Sequence, residues 1–157
     1  MKTTFLSITI MLGLATLTNA QTWSTYKDKS GKFSISLPAT PVVTEESDMH
    51  LVKADYGDYT NIIKVFYLPD GMKGDPYSRA ADMVVAGMSE EAKFVRKSEL
   101  IINGQKGLRA LFYLPSQKFY VDKGVVIDGK IAYVITQMRS NQDDTAVADK
   151  MFGSINQ

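Results

Sequence analysis

The chain has no cysteine, one histidine and one tryptophan. Without thiols there is no disulfide framework, no thiolate metal centre and no lipid-modified N-terminal cysteine, so stability must come from packing and hydrogen bonding. With His50 as the sole imidazole, any Ser/His/Asp or Cys/His arrangement would have to pass through that one position. Neither a Gly-x-Ser-x-Gly nucleophile elbow nor a Walker-type Gly-Lys-Ser/Thr occurs, and no other motif implies a cofactor. Proline is sparse at five residues, and no Pro/Gly/Ser-rich stretch is long enough to act as a linker. Beyond the first twenty residues no apolar run reaches the roughly 18 needed to span a bilayer, which predicts no membrane anchor. A net charge of +1 lacks the basic footprint of a nucleic-acid binder.

What is present begins with a leader. Lys2, the largely apolar run Phe5 to Leu17 and the small-residue site Thr18-Asn19-Ala20 form the pattern of a cleaved secretory signal peptide over residues 1–20. The expectation is an exported chain, periplasmic or secreted, with one domain over residues 21–157. Charge is unevenly spread: residues 21–92 hold seven Lys+Arg against eleven Asp+Glu, and residues 93–139 hold nine against three. The basic segment either complements the acidic one within the fold or attracts an anionic glycan, lipid headgroup or acidic partner.

Strand patterns dominate. Phe33, Ile35 and Leu37 alternate with serines before Pro38 stops the run. Pro41 to Tyr56 reads as extended segments and Thr60 to Leu68 as a buried strand. Asp75-Pro76 is an N-cap and first-turn pair for a helix in which Ala80, Ala81, Val84 and Met88 recur at helical spacing. Four strands are predicted from Phe94 onward, with turns at Asn103-Gly104, Pro115-Ser116 and Asp128-Gly129. A last helix, capped by Asp143 or Asp144, carries Val147, Ala148, Met151, Phe152 and Ile155 on one stripe.

These turns predict a register. Asn103-Gly104 sets Arg96 opposite Leu111 and Ser98 opposite Arg109. A loop centred on Pro115-Ser116 sets Phe112 against Phe119 and Arg109 against Asp122; Asp128-Gly129 sets Val125 against Ala132 and Gly124 against Tyr133. One face of the meander then carries Val95, Ala110, Phe112, Phe119, Val121, Thr136 and Met138. The other mixes Leu100, Leu111, Tyr113, Tyr120, Tyr133 and Ile135 with Arg96, Arg109, Asp122 and Gln137, too apolar for bare water and too polar for a dry core. Both faces are therefore expected to be covered, at least in part, by helices. The predicted class is α+β, a three-layer α/β/α sandwich around a mainly antiparallel sheet.

The opening strand Gly31-Lys32-Phe33-Ser34-Ile35-Ser36-Leu37-Pro38, a second hairpin, a helix, a four-strand meander and a terminal helix ending Met151-Phe152-Gly153-Ser154-Ile155 together resemble the PsbP-like fold family. The resemblance covers nearly all of residues 23–157. It implies α/β/α architecture and roles in binding or assembly rather than a shared reaction, and it transfers no site residues.

Candidate chemistry is thin. Glu46, Asp48 and His50 would project to one side of a single strand, about 7 Å apart per two-residue step, as ligands of a divalent metal; a charged, aggregation-resistant edge explains them as well. Asp70-Gly71-Met72-Lys73-Gly74-Asp75 lacks the acidic ladder of a calcium loop. Gly104-Gln105-Lys106-Gly107 sits in a hairpin rather than before a helix, the wrong place to cradle phosphate. Glu90-Glu91 and Asp143-Asp144 point apart as adjacent acids. The candidate binding residues are therefore those of the mixed face: Arg96, Arg109, Tyr113, Tyr120, Asp122, Tyr133 and Gln137. The competing reading lays the first helix across that face, with Arg109 and Asp122 as an internal ion pair.

The functional expectation is a non-enzymatic exported binding or assembly module of the bacterial cell envelope, without cofactor or metal, whose partner is an envelope protein or an anionic glycan. A hydrolase acting on an envelope polymer through carboxylates is the alternative. A third reading is a structural domain whose sheet edge docks a neighbour by strand addition.

Overall fold

The computed structural model describes residues 22–29, 31–46, 49–70 and 74–156. The expected leader, residues 1–20, lies outside them, as do Asp48 and residues 71–73 of the acidic loop.

A two-stranded antiparallel ribbon pairs β1 (Ser24–Lys27) with β2 (Ser34–Leu37). The remaining strands form one antiparallel sheet: β3 (Val42–Glu46), β4 (Met49–Tyr56), β5 (Tyr59–Tyr67), β6 (Lys93–Ile102), β7 (Gln105–Leu114), β8 (Phe119–Asp128) and β9 (Ile131–Arg139), in the order β3-β4-β5-β9-β8-β7-β6. Helix α1 (Pro76–Val85) joins β5 to β6, and α2 (Ala146–Gly153) closes the chain. The result is an α+β fold built on an antiparallel sheet.

Side-chain alternation divides the sheet into two apolar clusters. Ala80 and Val84 of α1 pack with Ala110, Phe112, Leu114, Val121, Val125, Ile127, Ala132 and Val134. Ala148, Met151 and Phe152 of α2 pack with Leu100, Ile102, Val126, Tyr133 and Ile135, and with Phe33, Ile35 and Leu37 of the ribbon. Asp75 caps α1 as its sequence predicts, accepting from the Ser78 backbone N–H at 3.0 Å. At the other end of α1 the nearly buried Lys123 ammonium donates to the Ala86 carbonyl at 2.7 Å, placing positive charge on the helix C-terminus. For α2 the cap position falls to Thr145, not to Asp143 or Asp144. Asp144 instead accepts a hydrogen bond from the Tyr59 hydroxyl.

The turns decide the register, and two of three differ from expectation. Asn103 and Gly104 both take positive φ (52° and 75°), as a type I′ turn requires, so Arg96 does face Leu111 and Ser98 does face Arg109. Between β7 and β8, Leu114 pairs with Phe119, so the loop is the four residues 115–118, with Lys118 at φ 54°. Between β8 and β9, Asp128 pairs with Ile131, which puts Gly129 rather than Asp128 at the first turn position; Gly129 alone takes positive φ (59°) there. Each correction moves a strand by two residues. Phe112 thus faces Val121, and Arg109 faces Gly124. A two-residue slip leaves every side chain on its predicted face, whereas a one-residue slip would have inverted it. On β6 a bulge falls between Phe94 and Arg96, so Phe94, not Val95, meets Phe112.

Candidate functional site

The mixed face is the α2 face, and its polar residues form one chain of contacts. Arg109 stands opposite Gly124, two pairs along from Leu111–Asp122 and next to it on the same face, so its long side chain reaches Asp122 diagonally. The pair is bidentate: Nε to Oδ1 and Nη2 to Oδ2, both 2.8 Å. Nη2 also meets Asp149 Oδ1 of α2 at 2.8 Å. Gly124 has no side chain because the Phe152 ring fills that space: a Cβ there would lie 2.7 Å from Phe152 Cε1 and from Leu100 Cδ2. The same ring stacks under the Arg109 guanidinium at 4.2 Å. Burial opposes the Arg109 charge, but Asp122 and then Asp149 outweigh it, and the guanidinium's pKa rises.

Behind this pair lies a buried network. Arg139, whose side chain is 1% exposed, donates from Nη1 to Gln137 Oε1 at 3.1 Å and stands 3.5 Å from Asp122 Oδ2. Gln137 donates to Asn61 Oδ1 at 3.0 Å, and Asn61 donates to the Ala54 carbonyl at 2.8 Å. Arg139 Nε reaches the Asn141 carbonyl, while Nη2 finds no hydrogen-bond partner among the described residues. Two guanidinium groups thus share one fully buried carboxylate.

Outside this core, a cavity of about 230 Å³ is lined by Arg96, Lys97, Ser98, Arg109, Leu111, Asp122 and Asp149. The half-buried rings of Tyr113 and Tyr120 pair further along the face at 4.7 Å. At the sheet end, Asp58, Tyr59, Arg139, Ser140, Asn141 and Asp144 enclose about 370 Å³. There burial, followed by the Asp144 contact, pushes the Tyr59 hydroxyl up to about 12.

Of the seven candidates, Arg96, Arg109 and Asp122 line one cavity, and Tyr113 and Tyr120 share their face. Gln137 is fully buried in the network. Tyr133 lies elsewhere, buried against Phe33 at 4.9 Å, and its hydroxyl is pushed up to about 12, chiefly by burial. The helix over the face is α2, not α1, since Phe152 rather than Ala80 or Val84 meets Arg109. Asn61, Arg139 and Asp149 were missed. Arg139 continues the alternation of Tyr133, Ile135 and Gln137 on β9, a signal the sequence does hold; Asn61 and Asp149 arrive from distant elements with none.

Of the three candidate metal residues the structure describes two, Asp48 lying outside the described residues, and it does not bring those two together. Glu46 and His50 lie on different strands of a hairpin, with Glu46 opposite Met49 and His50 opposite Glu45. Among the described residues no group of three or more His, Asp or Glu side chains is placed to hold a metal ion. Glu91 accepts hydrogen bonds from the Ser116 backbone and hydroxyl, and Asp70 pairs with Lys130 at 2.6 Å.

Asp149 gives the site a pH signature. Burial pushes its carboxyl up, but hydrogen bonds from Arg109 and Thr145 and the Arg109 charge hold it below the usual carboxylate range. A depressed carboxyl stabilises the fold above its unfolded pKa, about 3.9, and loses that contribution as pH falls through the folded value. Asp149→Asn is therefore expected to be less stable than the wild type at neutral pH, with the gap closing in acid. Urea denaturation across pH checks this; a gap independent of pH would mean the ion pair is not its source.

No protein-family model matches the chain, and no curated protein matches it. Solved structures do. The solution structure of cyanobacterial PsbP (CyanoP) from Synechocystis superposes with a TM-score of 0.57 at 9% identity, covering 92% of this chain and 97% of that one. The chain has a PsbP-like fold. A crystal structure from Bacteroides thetaiotaomicron matches at a TM-score of 0.44 and 12% identity, covering 83% of this chain and 47% of that one. At 9% identity the PsbP-like match describes the path of the backbone and carries no side chain of the site. No helix among the described residues is long and apolar enough to cross a membrane.

Proposed function

We propose that this PsbP-like chain is a non-enzymatic, exported binding or assembly module of the bacterial cell envelope. Its domain is a three-layer α/β/α sandwich, and its recognition surface is the part of the α2 face centred on Arg96, Arg109, Tyr113, Tyr120 and Asp122. Gln137 supports that surface from behind and Tyr133 belongs to the core beneath the ribbon. The observation that carries the reading is the cavity beside Arg96. Its carboxylates, Asp122 and Asp149, are already bound to Arg109, while the exposed Arg96 makes no ion pair within 4 Å among the described residues. A rim cation beside paired aromatic rings is the composition of an interface rather than of a proton-transfer site. The leader pattern at residues 1–20 supports export.

Arg109 is a poor probe of binding, since its loss strands a buried carboxylate. Arg96→Ala and Tyr120→Ala are the informative changes. The full chain, tagged at its C-terminus and cross-linked in its native envelope, is expected to capture one reproducible partner that either variant loses while its melting temperature stays near the wild type. Turnover of a glycan or ester panel, abolished by a single Asp or Glu change, would overturn this reading in favour of a hydrolase.

A further inference from the structure

Among the described residues the seven-stranded sheet ends in two edge strands with no further neighbour, and they differ. β3 is five residues long, and its Glu45 is tied to Lys29 at 2.6 Å. β6 is ten residues long, bonded on one side to β7, with no strand among the described residues on the other. Beyond the bulge near Val95, Arg96 to Ile102 run in unbroken register with β7, so the outer backbone of that stretch is regular enough to template another strand.

The two faces of β6 carry different chemistry. Lys93 and Arg96, opposite Tyr113 and Leu111, stand on the α2 side, where Arg109 borders the same cavity as Arg96 and Ser98. Neither Lys93 nor Arg96 makes an ion pair within 4 Å among the described residues, nor does Lys97. Arg109 spends Nε and Nη2 on Asp122 and Asp149, and among the described residues its Nη1 makes no hydrogen bond. On the α1 side stand Phe94, 59% exposed, Lys97 opposite Ala110, Glu99 opposite Leu108, and Ile101, 53% exposed. The one acid of β6, Glu99, is already bound to Lys106 at 3.0 Å.

We propose that the β6 edge takes an extended acidic segment of a protein partner, which adds as a further strand and lays its carboxylates against Arg96 and Arg109. Main-chain hydrogen bonds to Arg96–Ile102 supply the attachment, and alternate side chains supply the choice of sequence. Residues on the α2 side of such a strand meet Lys93, Arg96 and the cavity; those on the α1 side meet Phe94, Lys97 and Ile101, with Glu99 taken up by Lys106. The preferred segment therefore sets acidic residues against Lys93 and Arg96 and apolar residues against Phe94 and Ile101. A second copy of this edge brings the same unpaired cations, Lys93, Arg96 and Lys97, and its one acid of β6, Glu99, is already bound to Lys106, so it offers them little. This inference rests on the binding-module reading and gives it a partner class.

The test uses the full chain and a short synthetic peptide alternating glutamate and valine, followed by fluorescence anisotropy and amide hydrogen exchange. The peptide is expected to bind in low salt and to slow exchange along Arg96–Ile102 but not along β3. Arg96→Ala is expected to weaken it about fivefold, the size of one partly exposed charge contact. The same peptide with alternate backbone amides methylated is expected not to bind, because it cannot complete the ladder. Equal binding by the methylated peptide, protection away from β6, or no binding at all would overturn the proposal. Self-association through β6 would also overturn it by assigning the edge to a second copy. Partner capture that depends on Tyr120 while the peptide fails would leave the binding-module reading standing and remove only the edge mechanism.

Discussion

Asp122→Ala is expected to cost about 3–5 kcal/mol of folding stability, the scale for removing one partner of a buried ion pair. Asp122 is 1% exposed and is the carboxylate toward which both Arg109 and Arg139 turn. Its loss leaves two guanidinium groups with little to offset their desolvation, since Asp149 reaches only Arg109 and is itself 54% exposed. Arg139→Met should behave differently. It leaves Asp122 its bidentate bond to Arg109 but strands the fully buried Gln137 Oε1, while the long apolar stem keeps most of the packing, so a smaller loss of about 1–3 kcal/mol is expected. Chemical denaturation of the two variants side by side decides the matter. An Asp122→Ala loss below about 1 kcal/mol would reduce the network to the energetics of surface pairs.

Gly107→Ala is the second large effect, at about 3 kcal/mol or more. Gly107 lies near the start of β7 with an ordinary backbone conformation, so its constraint is space and not φ. An added Cβ would sit 2.0 Å from the Val125 carbonyl oxygen and 2.7 Å from Val126 Cγ2. The oxygen belongs to the β8 backbone and cannot rotate aside, so the β7–β8 ladder must part locally. That ladder fixes Arg109 relative to Asp122, and damage should therefore spread to the site. Gly153→Ala is the control: a Cβ there meets nothing within 4 Å, and little change in stability is expected. A Gly107→Ala protein as stable as the wild type would mean that β7 and β8 can separate without cost.

The glycines also show how far local pattern reaches. The Gly-x-x-Gly stretch at 104–107 reads in sequence as a weak phosphate-loop likeness. In the fold its two ends do unrelated work, Gly104 making a left-handed turn and Gly107 letting two strands approach. The predicted register sets Gly124 against Tyr133, where a glycine leaves room for the tyrosine ring. Gly124 does make room for a ring, but the ring is Phe152, from a helix that follows in sequence and crosses the sheet. Local pattern showed that space was needed without showing what fills it.

The sequence by itself determined the element order from β2 onward, the N-cap of α1, the Asn103-Gly104 hairpin and, apart from Val95 at the bulge, the assignment of side chains to the two faces of the meander. These rest on short-range physics: alternation along a strand, helical spacing, and the positive φ that Asn and Gly accept. Only the tertiary structure decided the β7–β8 and β8–β9 registers, since loops of slightly different length leave the same residues on the same faces and differ only in which residues oppose. The tertiary structure also chose α2 over α1 to cover the polar face, and it brought Asn61, Arg139 and Asp149 to Asp122 and its partners. Those contacts join residues far apart in the chain. Their free energy depends on desolvation and on geometry between whole elements, and neither is written in the spacing of neighbouring residues.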